Sequence, residues 1–94
     1  MEPAHEEHFL KILGKKGTID VLRFLEERGT ARYKHLQQFI STHTLNARIK
    51  DLMQLNLIQH QFVKENVRKE WYELTEKGKK VLQCLDDLKK IMEE

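Results

Sequence analysis

Two spacings of apolar residues divide the chain. Up to Leu55 they recur every three or four positions, as on one side of an amphipathic helix. Between Leu57 and Leu74 they move toward alternation, the period of a half-buried strand. After Thr75 the helical spacing returns. The first helix is expected over residues 4–14, where Phe9, Leu10, Ile12 and Leu13 cover an arc of roughly 160° at 3.6 residues per turn. Pro3 stands just ahead of it, where proline is tolerated, and the glycines of "GKKG", residues 14–17, break or kink it. A second helix runs over Thr18–Arg28, with Ile19, Val21, Leu22, Phe24 and Leu25 on its apolar side and Gly29 as its C-cap.

Residues 30–32 fit a short strand. A short helix is predicted over residues 33–39, with Leu36, Phe39 and Ile40 directed inward, and Ile40 and Ser41 form a turn. The next segment, "STHTLNARIKDL", opens with an N-cap serine and carries Leu45, Ile49 and Leu52 at spacings of four and three. It predicts an amphipathic helix over residues 42–55. In "LIQHQFV", residues 57–63, Ile58 and Phe62 share one face. "KENVRK", residues 64–69, is a polar turn, and "EWYEL", residues 70–74, places Tyr72 and Leu74 on one face. Two such strands around a polar turn predict a β-hairpin. Thr75 caps a last helix reaching residue 92, and Glu76 suits its positive end. Val81, Leu82, Cys84, Leu85, Leu88, Ile91 and Met92 spread over about half of its wheel. That is wider than one contact requires, so this helix is expected to touch both its own domain and a second copy of the chain.

The expected fold class is mainly α with a small β-hairpin (α+β). Two successive short helices before a basic hairpin suggest a winged helix-turn-helix with extra N- and C-terminal helices. A single domain spans residues 1–94: an N-terminal helix at 4–14, a winged-helix core at 15–75 and a C-terminal dimerisation helix at 76–94. Composition agrees, with 39% hydrophobic and 34% charged residues, the balance of a globular chain with a small core. No apolar run approaches the roughly 20 residues of a membrane span. The start, "MEPAHEEH", is acidic and polar, unlike a signal peptide. A single cysteine, Cys84, leaves no internal disulfide and fits a reducing cytosol. A cytoplasmic location with no membrane partner is expected.

The formal net charge of +2 conceals a local excess. Both ends are acidic. Between Gly29 and Lys69 stand Arg32, Lys34, Arg48, Lys50, Lys64, Arg68 and Lys69 against only Asp51 and Glu65. The total neither demands nor excludes nucleic acid, and it is the placement of the charge that matters. Other chemistry is absent from the pattern. There is no Gly-rich phosphate loop, nucleophile motif or paired carboxylate, so neither enzyme activity nor a cofactor is expected. His5 and His8 lie one turn apart beside Glu6 and Glu7, but a metal site needs three or four converging ligands; no metal is expected. Cys84 lies on the apolar arc of the last helix.

The segments "GKKGTIDVLRFL", "YKHLQQFISTHTLNARIKDLMQLNLI" and "YELTEKGKKVL" carry a resemblance. From residue 12 to about residue 85 the chain resembles the winged helix-turn-helix transcription regulators of the HxlR and MarR-like groups. It departs from them in two places. HxlR-type proteins commonly place a cysteine just before the first core helix, where this chain has "KILGKKG", and the "GLV"-type turn before the wing is here "NLI". Asparagine tolerates the left-handed conformation such a turn uses.

The resemblance implies a homodimeric, sequence-specific regulator that binds double-stranded DNA at a pseudo-palindromic site. The helix at residues 42–55 would enter the major groove, and the wing at 64–69 would lie on the backbone or in the minor groove. Opposite Leu45 and Ile49 stand His43, Asn46, Ala47, Lys50 and Gln54. Asn46 suits bidentate pairing with adenine, Lys50 a guanine or phosphate, and Ala47 a close approach or a thymine methyl. Thr42 and Thr44 suit phosphates, and Arg48 flanks the core stripe within reach of phosphate or base. Lys64, Arg68 and Lys69 would serve the wing, while Arg32, Tyr33 and Lys34 would grip the backbone. Phe9, Leu10, Ile12 and Leu13 with Leu82, Leu85, Leu88, Ile91 and Met92 form the expected dimer surface. Two rival readings share the fold: a protein-interaction module, and a sensor holding a small molecule or metal between the arms of the dimer.

Overall fold

The computed structural model describes residues 1–94. Its elements, in chain order, are α1 (Pro3–Gly14), α2 (Thr18–Arg28), β1 (Thr30–Ala31), α3 (Tyr33–Leu36), α4 (Thr42–Gln54), β2 (Ile58–Lys64), β3 (Arg68–Leu74) and α5 (Glu76–Met92). The three strands form one antiparallel sheet in the order β1-β3-β2, so the hairpin recruits the short strand on its β3 side. Mainly helical with a small sheet, this is the winged helix-turn-helix expected from the periodicities.

Local chemistry sets the boundaries. Pro3 sits in the first turn of α1, where its missing N–H costs nothing. Gly17 begins α2 in the left-handed region at φ 88°, and a Cβ there would overlap Ile40 Cδ1. The positive φ favours glycine, and a larger residue would also have to displace the end of the Ile40 side chain. Thr18 is fully buried, and its hydroxyl donates to the Ile12 carbonyl at 2.7 Å, tying the end of α1 to the start of α2. Ser41 Oγ accepts from Thr44 N–H at 3.4 Å to open α4. Asn56 takes φ 60°, as the turn before the wing requires. Thr75 Oγ1 accepts from Gly78 N–H at 2.9 Å and donates to the Asn56 carbonyl at 2.6 Å, so one hydroxyl caps α5 and pins the preceding turn.

One core sits between these elements. Val21, Leu22 and Leu25 of α2 meet Leu36, Ile40, the Leu45–Ile49–Leu52 stripe of α4, Leu57, Ile58, Leu74 and Leu82. The stripe anchors α4 by one side and leaves the other open.

Three expectations are corrected. The helix of residues 33–39 ends at Leu36, because the chain must turn for Ile40 to reach the core over Gly17. Phe39 consequently faces outward, its ring 5.2 Å from that of Phe24. Ile12 and Leu82 are wholly buried in the protomer's own interior, so neither offers surface to a second copy.

Candidate nucleic-acid interface

Along α4, the side chains of His43, Asn46, Lys50 and Gln54 are exposed at spacings of three and four, and Ala47 is half-buried between them. No acidic side chain lies in this row. The one acid of the helix, Asp51, faces elsewhere: its Oδ2 lies 3.4 Å from Arg48 Nη2 and 3.9 Å from Lys15 Nζ. This pair corrects the reading of Arg48. Its side chain is only 12% exposed and packs toward the α1–α2 junction, so its charge is spent inside the protein. Thr44 is half-buried, and Thr42 Oγ1 accepts from Gln37 Nε2 at 3.2 Å, joining the turn to the start of α4.

Tyr33 links this row to the rest of the basic surface. Its hydroxyl donates a hydrogen bond to Asn46 Oδ1, across the two helices. Its ring packs on the core. Beside it a groove of about 590 Å³ runs between the start of α3 and the wing, lined by Arg32, Tyr33, Lys34, His60, Arg68, Glu70 and Tyr72. Three cations and two phenol groups thus converge from segments far apart in sequence. Arg68 is pre-placed: its guanidinium meets Glu70 Oε1 at 2.8 Å and lies 5.3 Å from the centre of the Phe62 ring. His60 Nε2 is 3.3 Å from the same carboxylate oxygen. Burial, then the charge of Glu70, then Tyr33 raise the pKa of Tyr72. At the start of α3, His35 Nδ1 accepts from the Arg32 N–H at 3.1 Å.

Strand register decides which wing residues share the groove. His60 faces Tyr72, Phe62 faces Glu70, and Lys64 faces Arg68, all on one side of the hairpin. Lys69 pairs with Val63 and falls on the other side, with Gln61 and Trp71. Of the wing cations expected to act together, Lys64 and Arg68 do share a face and Lys69 does not. The groove residues His60, Glu70 and Tyr72 are not among those the sequence pattern singles out for DNA. Their signal is the hairpin register, which places all three on the Arg68 side.

The remaining candidates lie at the ends. Leu10, Leu88, Ile91 and Met92 are each more than half exposed, Phe9, Leu13 and Leu85 are half-buried, and Cys84 is exposed. No helix is long and apolar enough to cross a membrane.

A sequence model of the HxlR-like helix-turn-helix family matches residues 12–94. The chain is 35% identical over 86 residues to the uncharacterized protein MJ0944 of Methanocaldococcus jannaschii, covering 87% of this chain and 71% of that one. Among solved structures, the reduced form of the transcriptional regulator YodB from B. subtilis superposes with a TM-score of 0.80 at 29% identity, over 95% of this chain and 88% of that chain. A structure described as a transcriptional regulator of the MarR family, from Enterococcus faecalis V583, gives a TM-score of 0.83 over 99% of this chain and 87% of that chain; at 20% identity it speaks for the fold alone.

Proposed function

The chain belongs to the HxlR-like helix-turn-helix family, a group of winged helix-turn-helix regulators, and on that footing we propose that it binds a specific double-stranded DNA site as a homodimer. The carrying observation is the continuity of one surface: the acid-free open row of α4, Tyr33, and the groove that brings Arg32, Lys34 and Arg68 together around the single acid Glu70. In this reading α4 enters the major groove, where His43, Asn46, Ala47 and Lys50 meet base edges. Arg32, Lys34, Lys64 and Arg68 meet phosphates on either side, and release of counterions supplies most of the salt-dependent affinity. A two-fold pair of such domains fits half-sites about 10 base pairs apart, or a multiple of that. The exposed apolar residues of α1 and α5 supply the dimer contact.

In vitro selection from random duplex DNA tests this. A palindromic consensus is expected. Lys50→Ala should weaken binding and relax the preference at one position per half-site. Arg68→Ala should weaken binding to all sequences alike and lower the salt slope by about one for each phosphate it leaves without a cation. Absence of any enriched sequence, or equal binding by all variants, would overturn the assignment.

A further inference from the structure

The bond from Tyr33 to Asn46 spans 13 residues of sequence and joins the first helix of the helix-turn-helix pair to the second. The two partners differ in freedom. Tyr33 opens α3 one residue beyond the β1 strand, and its ring packs on the hydrophobic core. Its hydroxyl therefore has a fixed place. Asn46 is exposed, in the same row as His43 and Lys50. A free carboxamide turns readily about its last bond and presents either end. Here the carbonyl end is engaged, and the amide nitrogen has no hydrogen-bond partner within the protein.

That asymmetry bears on what Asn46 reads. Bidentate pairing with adenine needs both ends of the carboxamide against one base edge, the oxygen accepting from N6 and the nitrogen donating to N7. Tyr33 takes one of the two lone pairs of that oxygen and turns the carbonyl toward α3, so the NH2 group, with its two N–H donors, is the end left facing outward. Guanine is the base whose major-groove edge sets two acceptors, N7 and O6, side by side. Adenine places an amino group next to N7, thymine sets a single acceptor, O4, beside its methyl group, and cytosine offers only its amino donor.

We propose that Tyr33 is a positioning residue that holds the Asn46 carboxamide with its nitrogen outward, so that Asn46 reads guanine by donation rather than adenine by bidentate pairing. The inference rests on α4 being the recognition helix. It gives Tyr33 a role in base preference in place of the phosphate contact its position suggests, and leaves the backbone to Arg32 and Lys34. It also makes the preference at one base position depend on a side chain that need touch no base.

Selection from random duplex DNA with the wild type, Asn46→Ala, Tyr33→Phe and Asn46→Asp tests it. Asn46→Ala identifies the position by relaxing it; in the wild type that position should be guanine. Tyr33→Phe keeps the ring and removes only the hydroxyl. It should shift the same position toward adenine by roughly tenfold, the scale of one good bidentate contact, and leave the other positions unchanged. Asn46→Asp keeps an oxygen for Tyr33 and replaces the donor with an acceptor, so the position should move to cytosine. An unchanged preference in Tyr33→Phe, or adenine at the wild-type position, would overturn the inference while leaving the DNA-binding reading intact. A wild type that enriches no sequence brings down both.

Discussion

His35 and Arg48 illustrate how much of a surface histidine or arginine is decided by neighbours the sequence does not put beside it. His35 caps α3 with an unprotonated nitrogen, accepting the Arg32 N–H at 3.1 Å. Desolvation, then Arg28, Lys34 and Arg32, lower its pKa from the ordinary 6.5. Protonation would turn that acceptor into a donor aimed at another donor. Below the ordinary value the folded chain therefore binds fewer protons at His35 than the unfolded chain does. The stabilising contribution is complete above 6.5 and is lost as the pH falls from there through the lowered folded-state value. His35→Gln keeps an acceptor at the same capping position and cannot titrate. Urea midpoints at about pH 8 and about pH 5.5 should show a smaller acid loss in this variant than in the wild type; equal losses would contradict the role. Arg48 makes the complementary point. Its position beside the apolar stripe and its charge both suit DNA. Asp51, one turn on, is visible in sequence as a partner. The packing against Gly17 and the approach of Lys15 to the same carboxylate are not, and these draw the side chain inward.

Elements whose identity rests on local period are legible in the sequence; those shaped by distant packing are not. Arg28, the last residue of α2, and the span of α4 follow from the 3.6-residue repeat together with Gly29 and Ser41. The short helix does not, because its last turn is sacrificed so that Ile40 reaches the core, and no local preference signals that exchange. In the hairpin the faces of each strand are readable from alternation. A turn over residues 64–69 would oppose Val63 to Glu70, whereas the observed register opposes Val63 to Lys69. A slip of one residue changes which side chains share a face, which is why the pattern alone does not assemble the groove. The two capping hydroxyls give a test at this scale. Ser41 makes one bond, at 3.4 Å, near the outer limit for a useful contact. Thr75 makes two, at 2.9 Å and 2.6 Å, and the second holds the Asn56 turn between α4 and the wing. Ser41→Ala should cost about 0.5 kcal/mol and Thr75→Ala about 1–2 kcal/mol in equilibrium denaturation. The reverse order would mean that the turn gains nothing from the Thr75 hydroxyl.

The outline of the whole molecule argues for a second copy. Its radius of gyration is 14.3 Å, against roughly 12 Å for a compact chain of this length. The excess comes from extensions that the single core does not cover. Only Gly78 and Leu82 of α5 are buried, and every residue from Asp87 onward is exposed. Arg23 Nη2 holds Asp86 Oδ1 at 2.7 Å, marking where α5 leaves the body of the protein. Beyond that point stand Leu88, Ile91 and Met92, with Leu10 comparably exposed on α1. Covering a half-exposed side chain of this kind is worth on the order of 1 kcal/mol. A two-fold axis counts each contribution twice, enough to offset much of the several kcal/mol that association costs. Leu88→Glu combined with Ile91→Glu isolates this term, because both side chains lie outside the protomer core and the fold keeps Leu82. Light scattering should give twice the chain mass for the wild type and the chain mass for the double variant, with unchanged helical circular dichroism. The variant should also select single half-sites in place of a palindrome, since each α4 would then dock alone. A wild type that runs as a monomer would overturn the dimer, and an unfolded variant would show that these residues support the protomer rather than its pairing.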